Sequence, residues 1–276
     1  MRKPFLFLSL SLLSQLLLSA ARIDTLELRS PSMHKLVRNI VIVPGSYDSN
    51  AQRYPVLYLL HGAGGDYSNW PTKDSSLGSY ADHYQVIIVC PDGGSTSWYF
   101  DSPVDTTMRY ETYISKELLT EVDTRYRTIA SKEGRAITGL SMGGHGALYL
   151  SFRHPGLYAA AASMSGGVDI RPFPKNWELA KRLGTYESSP QNWENNTVTN
   201  LLPLLKDQQL AILFDCGTDD FFYTVNKALH EKMLEQKIPH TYTERPGTHN
   251  WAYWKNALPY HLLFFNDVFN RYRLHK

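Results

Sequence analysis

Six short runs rich in apolar or β-branched residues punctuate the chain from residue 54 onward: YPVLYLL (54–60), YQVIIVC (84–90), GRAITGL (134–140), YAAAASMS (158–165), LAILFDC (210–216) and HTYTER (240–245). A strand wet on one face alternates apolar with polar residues, whereas runs without alternation need cover on both faces, as parallel strands flanked by helices have. Between them Tyr110, Ile114, Leu118 and Val122 recur at helical spacing, and so do Phe222, Val225, Leu229 and Met233. Ahead of them IDTLEL (23–28) and LVRNIVIV (36–43) alternate like two antiparallel strands joined by a turn. The pattern predicts an α/β chain of about eight strands, mixed at the leading edge and parallel afterwards, with helices on both faces.

One interval breaks this rhythm. Residues 168–208 contain no strand-like run but hold four prolines, two tryptophans and the stretch NLLPLLKD. About forty residues is too long for an ordinary connection, so an insertion with its own short helices is expected before the strand LAILFDC. No linker or internal repeat interrupts residues 22–276, which read as a single domain.

Gly139-Leu140-Ser141-Met142-Gly143 fits G-x-S-x-G and stands between the strand RAITGL and the helical stretch GGHGALYLSF. The bare pattern is weak, and an ordinary helix N-cap serine could carry it. Its position on a strand-to-helix turn gives it mechanical meaning, because such a turn forces the middle residue into a strained conformation that lifts its hydroxyl above the sheet. Glycines at 139, 143 and 144 leave room for neighbouring backbone.

A serine hydroxyl attacks a carbonyl only when a base takes its proton and donors await the developing oxyanion. The run LLHGAGG (59–65) ends a strand in a glycine-rich loop, so the backbone N–H groups of Met142 and Ala63 are expected to form the oxyanion hole, with His61 structural. A nucleophile on this kind of turn expects its acid and then its histidine after later strands. LAILFDC is followed by Gly217-Thr218-Asp219-Asp220, and HTYTER by Pro246-Gly247-Thr248-His249. His249 is the expected base and Asp220 the acid that orients it, with Asp219 and Asp215 as competitors. His145 is expected to pack in the helix. No H-E-x-x-H, paired Cys/His spacing or G-x-G-x-x-G loop suggests a metal or nucleotide, so no cofactor is expected.

Arg2 and Lys3 precede the apolar run FLFLSLSLLSQLLL (5–18), which leads into Ser19, Ala20 and Ala21. These are the parts of a secretory signal peptide, expected to be cleaved after Ala21, and the run is shorter than the roughly 20 residues that span a bilayer. Cleavage removes two of the 28 basic side chains and leaves 26 against 26 acidic ones. A neutral chain lacks the basic footprint of a nucleic-acid binder. The expected product is secreted or periplasmic, with no membrane association after cleavage. In the expected sheet Cys90 and Cys216 end strands several positions apart, beyond the roughly 7 Å that a disulfide can bridge, so two buried free thiols are expected.

The segments LLHGAGG, SWYFDSP, YETYISKELL, GLSMGGHGAL, CGTDDFF and PGTHNW, in this order over residues 24–272, resemble the esterase D-like family of α/β-hydrolases. The resemblance implies a carboxylic-ester hydrolase, favours Asp220 over Asp219 and agrees with Met142 and Ala63. The family holds feruloyl and acetyl-xylan carbohydrate esterases, S-formylglutathione hydrolases, tributyrin esterases and mycolyltransferases. An export signal argues against the formylglutathione branch, and the resemblance then implies an exported serine esterase that removes acyl groups, feruloyl or acetyl, from carbohydrate through an acyl-Ser141 intermediate, its substrate a small-molecule or polysaccharide ester. The alternative is an acyltransferase of the mycolyltransferase type, or a general esterase of the S-formylglutathione hydrolase or tributyrin type.

All six tryptophans fall on segments that leave the carboxyl edge of the expected sheet or could fold over it. They suit an aromatic-lined pocket, or else pack the loops against one another. Trp98, Tyr99, Asp101, Trp177 and Trp251 are the residues expected near substrate.

Overall fold

The computed structural model describes residues 20–205 and 209–274. The expected signal segment lies outside them apart from Ala20 and Ala21, as do residues 206–208 at the end of the expected insertion.

Eight strands form one sheet: β1 (Arg22–Ser30), β2 (Lys35–Val43), β3 (Val56–Leu60), β4 (Ile87–Pro91), β5 (Arg135–Gly139), β6 (Ala160–Met164), β7 (Ala211–Gly217) and β8 (Thr241–Arg245). Their order is β1-β2-β4-β3-β5-β6-β7-β8. The first two pairings, β1 with β2 and β2 with β4, are antiparallel, and every later one is parallel. Each predicted run supplies one strand.

The period of two assigns side chains to two apolar layers. Val56, Tyr58 and Leu60 of β3 enter one layer with Leu148 and Phe152 of the central helix (Met142–Arg153). Leu57 and Leu59 enter the other with Leu258, Leu262 and Phe265 of the C-terminal helix (Trp251–Leu274). Helices therefore cover both faces, which is why β3 is buried at every position. No helix among the described residues is long and apolar enough to cross a membrane.

Tyr110, Ile114, Leu118 and Val122 are all buried on a helical run whose middle, Tyr113–Leu118, is π-helical. An α-helix overshoots a full turn by about 40° over every four residues, so three successive four-residue steps would carry the apolar stripe off the sheet. The wider π turn brings it back. Between β6 and β7 lie the short helices Leu179–Leu183 and Pro190–Asn195 and two 3₁₀ turns, closed around Trp193, which is fully buried. Cys90 on β4 and Cys216 on β7 are buried free thiols with three strands between them.

Candidate active site

Ser141 sits between β5 and the central helix with φ 55° and ψ −118°, a region that L-residues rarely adopt. Its N–H is held by Met164 O at 2.9 Å, fixing the turn to β6. A Cβ on Gly139 would lie 2.6 Å from Gly143 backbone, and one on Gly143 would lie 2.6 Å from Leu60 O, so both positions need glycine for the helix to close on β3 and β5.

The loops after β7 and β8 deliver two further side chains to this turn. His249 Nε2 lies 2.8 Å from Ser141 Oγ, and His249 Nδ1 lies 2.8 Å from Asp220 Oδ2 and 3.0 Å from Oδ1. Asp220 also accepts the Phe222 N–H at 2.8 Å, and its side chain is fully buried. With the carboxylate on Nδ1, the imidazole carries its proton there and turns the Nε2 lone pair to the serine hydroxyl. The competing acids are placed elsewhere. Asp219 is exposed with its N–H on Gly247 O, and Asp215 is bonded to His261.

Around Ser141 the backbone donors are mostly committed: Ser141 N–H to Met164 O, Gly143 N–H to Leu140 O and Gly64 N–H to Ser95 O. Among the described residues no such bond engages the N–H groups of Met142 and Ala63. Their loop is braced by His61, buried, with Nδ1 2.8 Å from Gly62 O and Nε2 accepting the Gly93 N–H at 2.8 Å. Burial lowers the pKa of His61. His145 is buried too, its Nε2–H donating to Asn196 O at 2.9 Å, and burial pushes its pKa down to about 4.

An aromatic wall leads away from His249. The Phe221 ring lies 4.2 Å from it and stacks on Trp177 at 5.7 Å, and Trp177 leans on Trp98. Phe221 is 52% exposed, high for a side chain of its size and polarity. Trp251 is half-buried, edge-on to Trp70 and Trp254, and the Trp254 ring lies 4.9 Å from His249. Phe221 was not singled out in the sequence, although it directly follows Asp220; Phe222 was read only as part of a helical stripe, and Trp254 only as one of six tryptophans near the carboxyl edge of the sheet.

Three expected substrate contacts are corrected. Tyr99 is fully buried, its hydroxyl donating to His61 O at 3.1 Å and its ring filling the space left by Gly93 and Gly146. Trp98 is buried beneath Trp177, against Gly167. Asp101 accepts Thr112 N–H at 2.9 Å and pairs with Arg109 at 3.1 Å. It faces a separate polar cavity of about 760 Å³ shared with Glu111, Tyr149 and Asn196. An alternation along SWYFDSP that would turn Tyr99 and Asp101 together toward substrate requires extended backbone, but Trp98 and Tyr99 have φ of 54° and 62°.

In that cavity burial would push the Glu111 carboxyl up, yet hydrogen bonds from His154, Arg153 and Tyr149 outweigh it and hold the pKa at about 2, against an ordinary 4.5. A pKa lowered by folding contributes stability that is complete above the unfolded value and lost as pH falls through the folded one. Glu111→Gln is expected to lower Tm by roughly 5–10 °C at neutral pH and to flatten the loss of stability between about pH 4.5 and 2. Thermal melts across that range check this, and parallel curves for the two proteins would refute it.

The sheet order, the strained serine turn and the loops after β7 and β8 define an α/β-hydrolase fold. A solved ferulic acid esterase superposes with a TM-score of 0.78 and 29% identity, covering 91% of this chain and 99% of that one. The chain belongs to the esterase family described as "Putative esterase", whose model matches residues 30–265. An esterase of Mycobacterium tuberculosis is 29% identical over 236 residues, 76% of this chain, and the chain spans about half (51%) of that relative's length. An acetyl esterase of Caldicellulosiruptor saccharolyticus is 24% identical, over 76% of this chain and 83% of its own length.

Proposed function

We propose that the protein is an exported serine esterase that removes acyl groups, feruloyl or acetyl, from carbohydrate through an acyl-serine intermediate. The observation that carries the chemistry is the line from Asp220 to His249 to Ser141, with 2.8 Å at each junction. Ser141 Oγ attacks the ester carbonyl while His249 Nε2 takes its proton. The oxyanion is received by the Met142 and Ala63 N–H groups, and the protonated His249 then passes the proton to the departing alcohol. Water, deprotonated by the same histidine, attacks the acyl-serine; the acid departs and Ser141 recovers its proton.

The exposed Phe221 and the Trp177 stacked on it support an aromatic acyl group, since a flat ring laid on them gains contact and stacking that acetyl cannot. Two of the three similar proteins above are named for the acyl groups proposed, one a ferulic acid esterase and the other an acetyl esterase. Phe221→Ala is expected to lower kcat/KM for methyl ferulate about tenfold and to leave p-nitrophenyl acetate within about threefold, because a stacked ring contributes about 1 kcal/mol beyond its area. Equal losses on both substrates would remove the argument for an aromatic acyl group. Export rests on residues 1–21 and on β1 beginning at Arg22, directly after the expected cleavage. Sequencing the N-terminus of the protein recovered outside the cytoplasm is expected to begin at Arg22.

A further inference from the structure

We propose that Asp215 is a positioning residue that sets His249 by gripping both flanks of its loop. The inference rests on His249 serving as the base. Asp215 lies within β7, its side chain 1% exposed, and three side chains converge on its carboxylate. The Tyr253 hydroxyl donates to Oδ1 at 2.8 Å, His261 Nε2–H donates to Oδ2 at 2.6 Å, and Arg245 Nη2 stands 3.4 Å from Oδ1.

His249 falls midway between Arg245, the last residue of β8, and Tyr253, in the first turn of the C-terminal helix. One carboxylate therefore holds the chain on the Tyr253 side of the histidine by a hydrogen bond and on the Arg245 side by an ion-pair contact. The grip is reinforced from the same helix, where the Arg245 guanidinium lies 4.6 Å from the Tyr260 ring and 5.5 Å from that of Tyr253. Backbone bonds from Thr218 N–H to Arg245 O and from Asp219 N–H to Gly247 O tie this loop to the one that carries Asp220. Gly247, at φ 152°, lets the Tyr253 ring pack where a side chain would stand. The histidine and its acid are thus held in one frame.

Thr138, His261 and Asp215 also form a line of a hydroxyl, an imidazole and a carboxylate, with Thr138 Oγ1 2.8 Å from His261 Nδ1. Thr138 is fully buried under the sheet cover, so no substrate reaches it and the arrangement acts mechanically. Burying a carboxylate is costly unless its partners are well aligned, and apolar packing would fasten a helix as well. What the carboxylate adds is direction: it admits one placement of Arg245, Tyr253 and His261 and so one register of the loop between them.

The test compares Asp215→Asn and Tyr253→Phe in the wild-type and His249→Ala backgrounds, with p-nitrophenyl acetate as substrate and Tm recorded for each protein. Tyr253→Phe keeps the ring beneath Arg245 and serves if Asp215→Asn folds poorly. Each change is expected to lower kcat about 10- to 100-fold with KM within about twofold, as small misplacements of a catalytic group do. Neither is expected to lower the residual rate of His249→Ala further, because a residue acting through His249 has nothing left to position. Equal losses in both backgrounds, or a lower Tm with kcat of the folded protein unchanged, would overturn the proposal. A wild-type rate in His249→Ala alone would instead overturn the base assignment beneath it.

Discussion

Ser141→Ala is expected to lower kcat for p-nitrophenyl acetate about a million-fold and to abolish labelling by a fluorophosphonate probe. Without Oγ there is no covalent intermediate, and His249 is left 2.8 Å from an atom that no longer exists. What remains is the oxyanion hole and substrate binding, which elsewhere sustain about 10³- to 10⁴-fold catalysis over water. The fold should survive. Alanine has the same difficulty as serine at φ 55°, the Met164 O bond uses the backbone, and the side chain contributes no other bond. Steady-state kinetics and probe labelling check the result together. A rate within tenfold of wild type would mean that hydrolysis proceeds elsewhere on the protein.

The elements that place this serine were legible in the sequence because burial on both faces leaves little freedom in composition. Parallel strands such as β3 and β5 are buried at every position, β3 with apolar residues throughout, and the glycines of the serine turn are required by backbone within 3 Å. The order serine, acid, histidine followed from the same strands. Between the two adjacent aspartates, spacing after Gly217 pointed to Asp220 through a resemblance, and the geometry adds the physical reason: the turn faces Asp220 inward to His249 and leaves Asp219 exposed.

Legibility failed where backbone left regular structure. Nothing in SWYFDSP announces two consecutive residues at positive φ, and Tyr99 on that turn is fully buried. Phe221 was passed over because nothing in CGTDDFF separates it from its neighbour Phe222, which is buried, and only the folded chain exposes it beside His249. The role of Asp215 was equally hidden, since its partners Arg245, Tyr253 and His261 come from two later elements. Sequence spacing reports what a strand or turn must be. It says little about which distant side chains meet across a loop.

Asp220→Asn is expected to lower kcat about 10⁴-fold, while Asp219→Asn changes it less than about threefold. The carboxylate accepts from His249 Nδ1 and, at Oδ1, from Phe222 N–H. Asparagine can keep only one oxygen. If that oxygen stays on the Phe222 N–H, the amide NH₂ faces Nδ1 and compels it to act as acceptor. The imidazole then carries its proton on Nε2 and presents an N–H to Ser141, so it cannot take the serine proton. The size of the loss comes from the wrong tautomer together with the missing charge beside the imidazolium, and little of it from altered packing, because Asn and Asp have nearly the same shape. Asp219, exposed and bonded to Gly247 through its backbone alone, has no such influence on His249. The comparison is made by kcat at saturating p-nitrophenyl acetate, with Tm recorded for both variants. A large loss from Asp219→Asn and a small one from Asp220→Asn would reverse the assignment. Comparable small losses from both would mean that His249 needs no carboxylate partner, which is incompatible with a buried Asp220 held 2.8 Å from Nδ1 for a catalytic purpose.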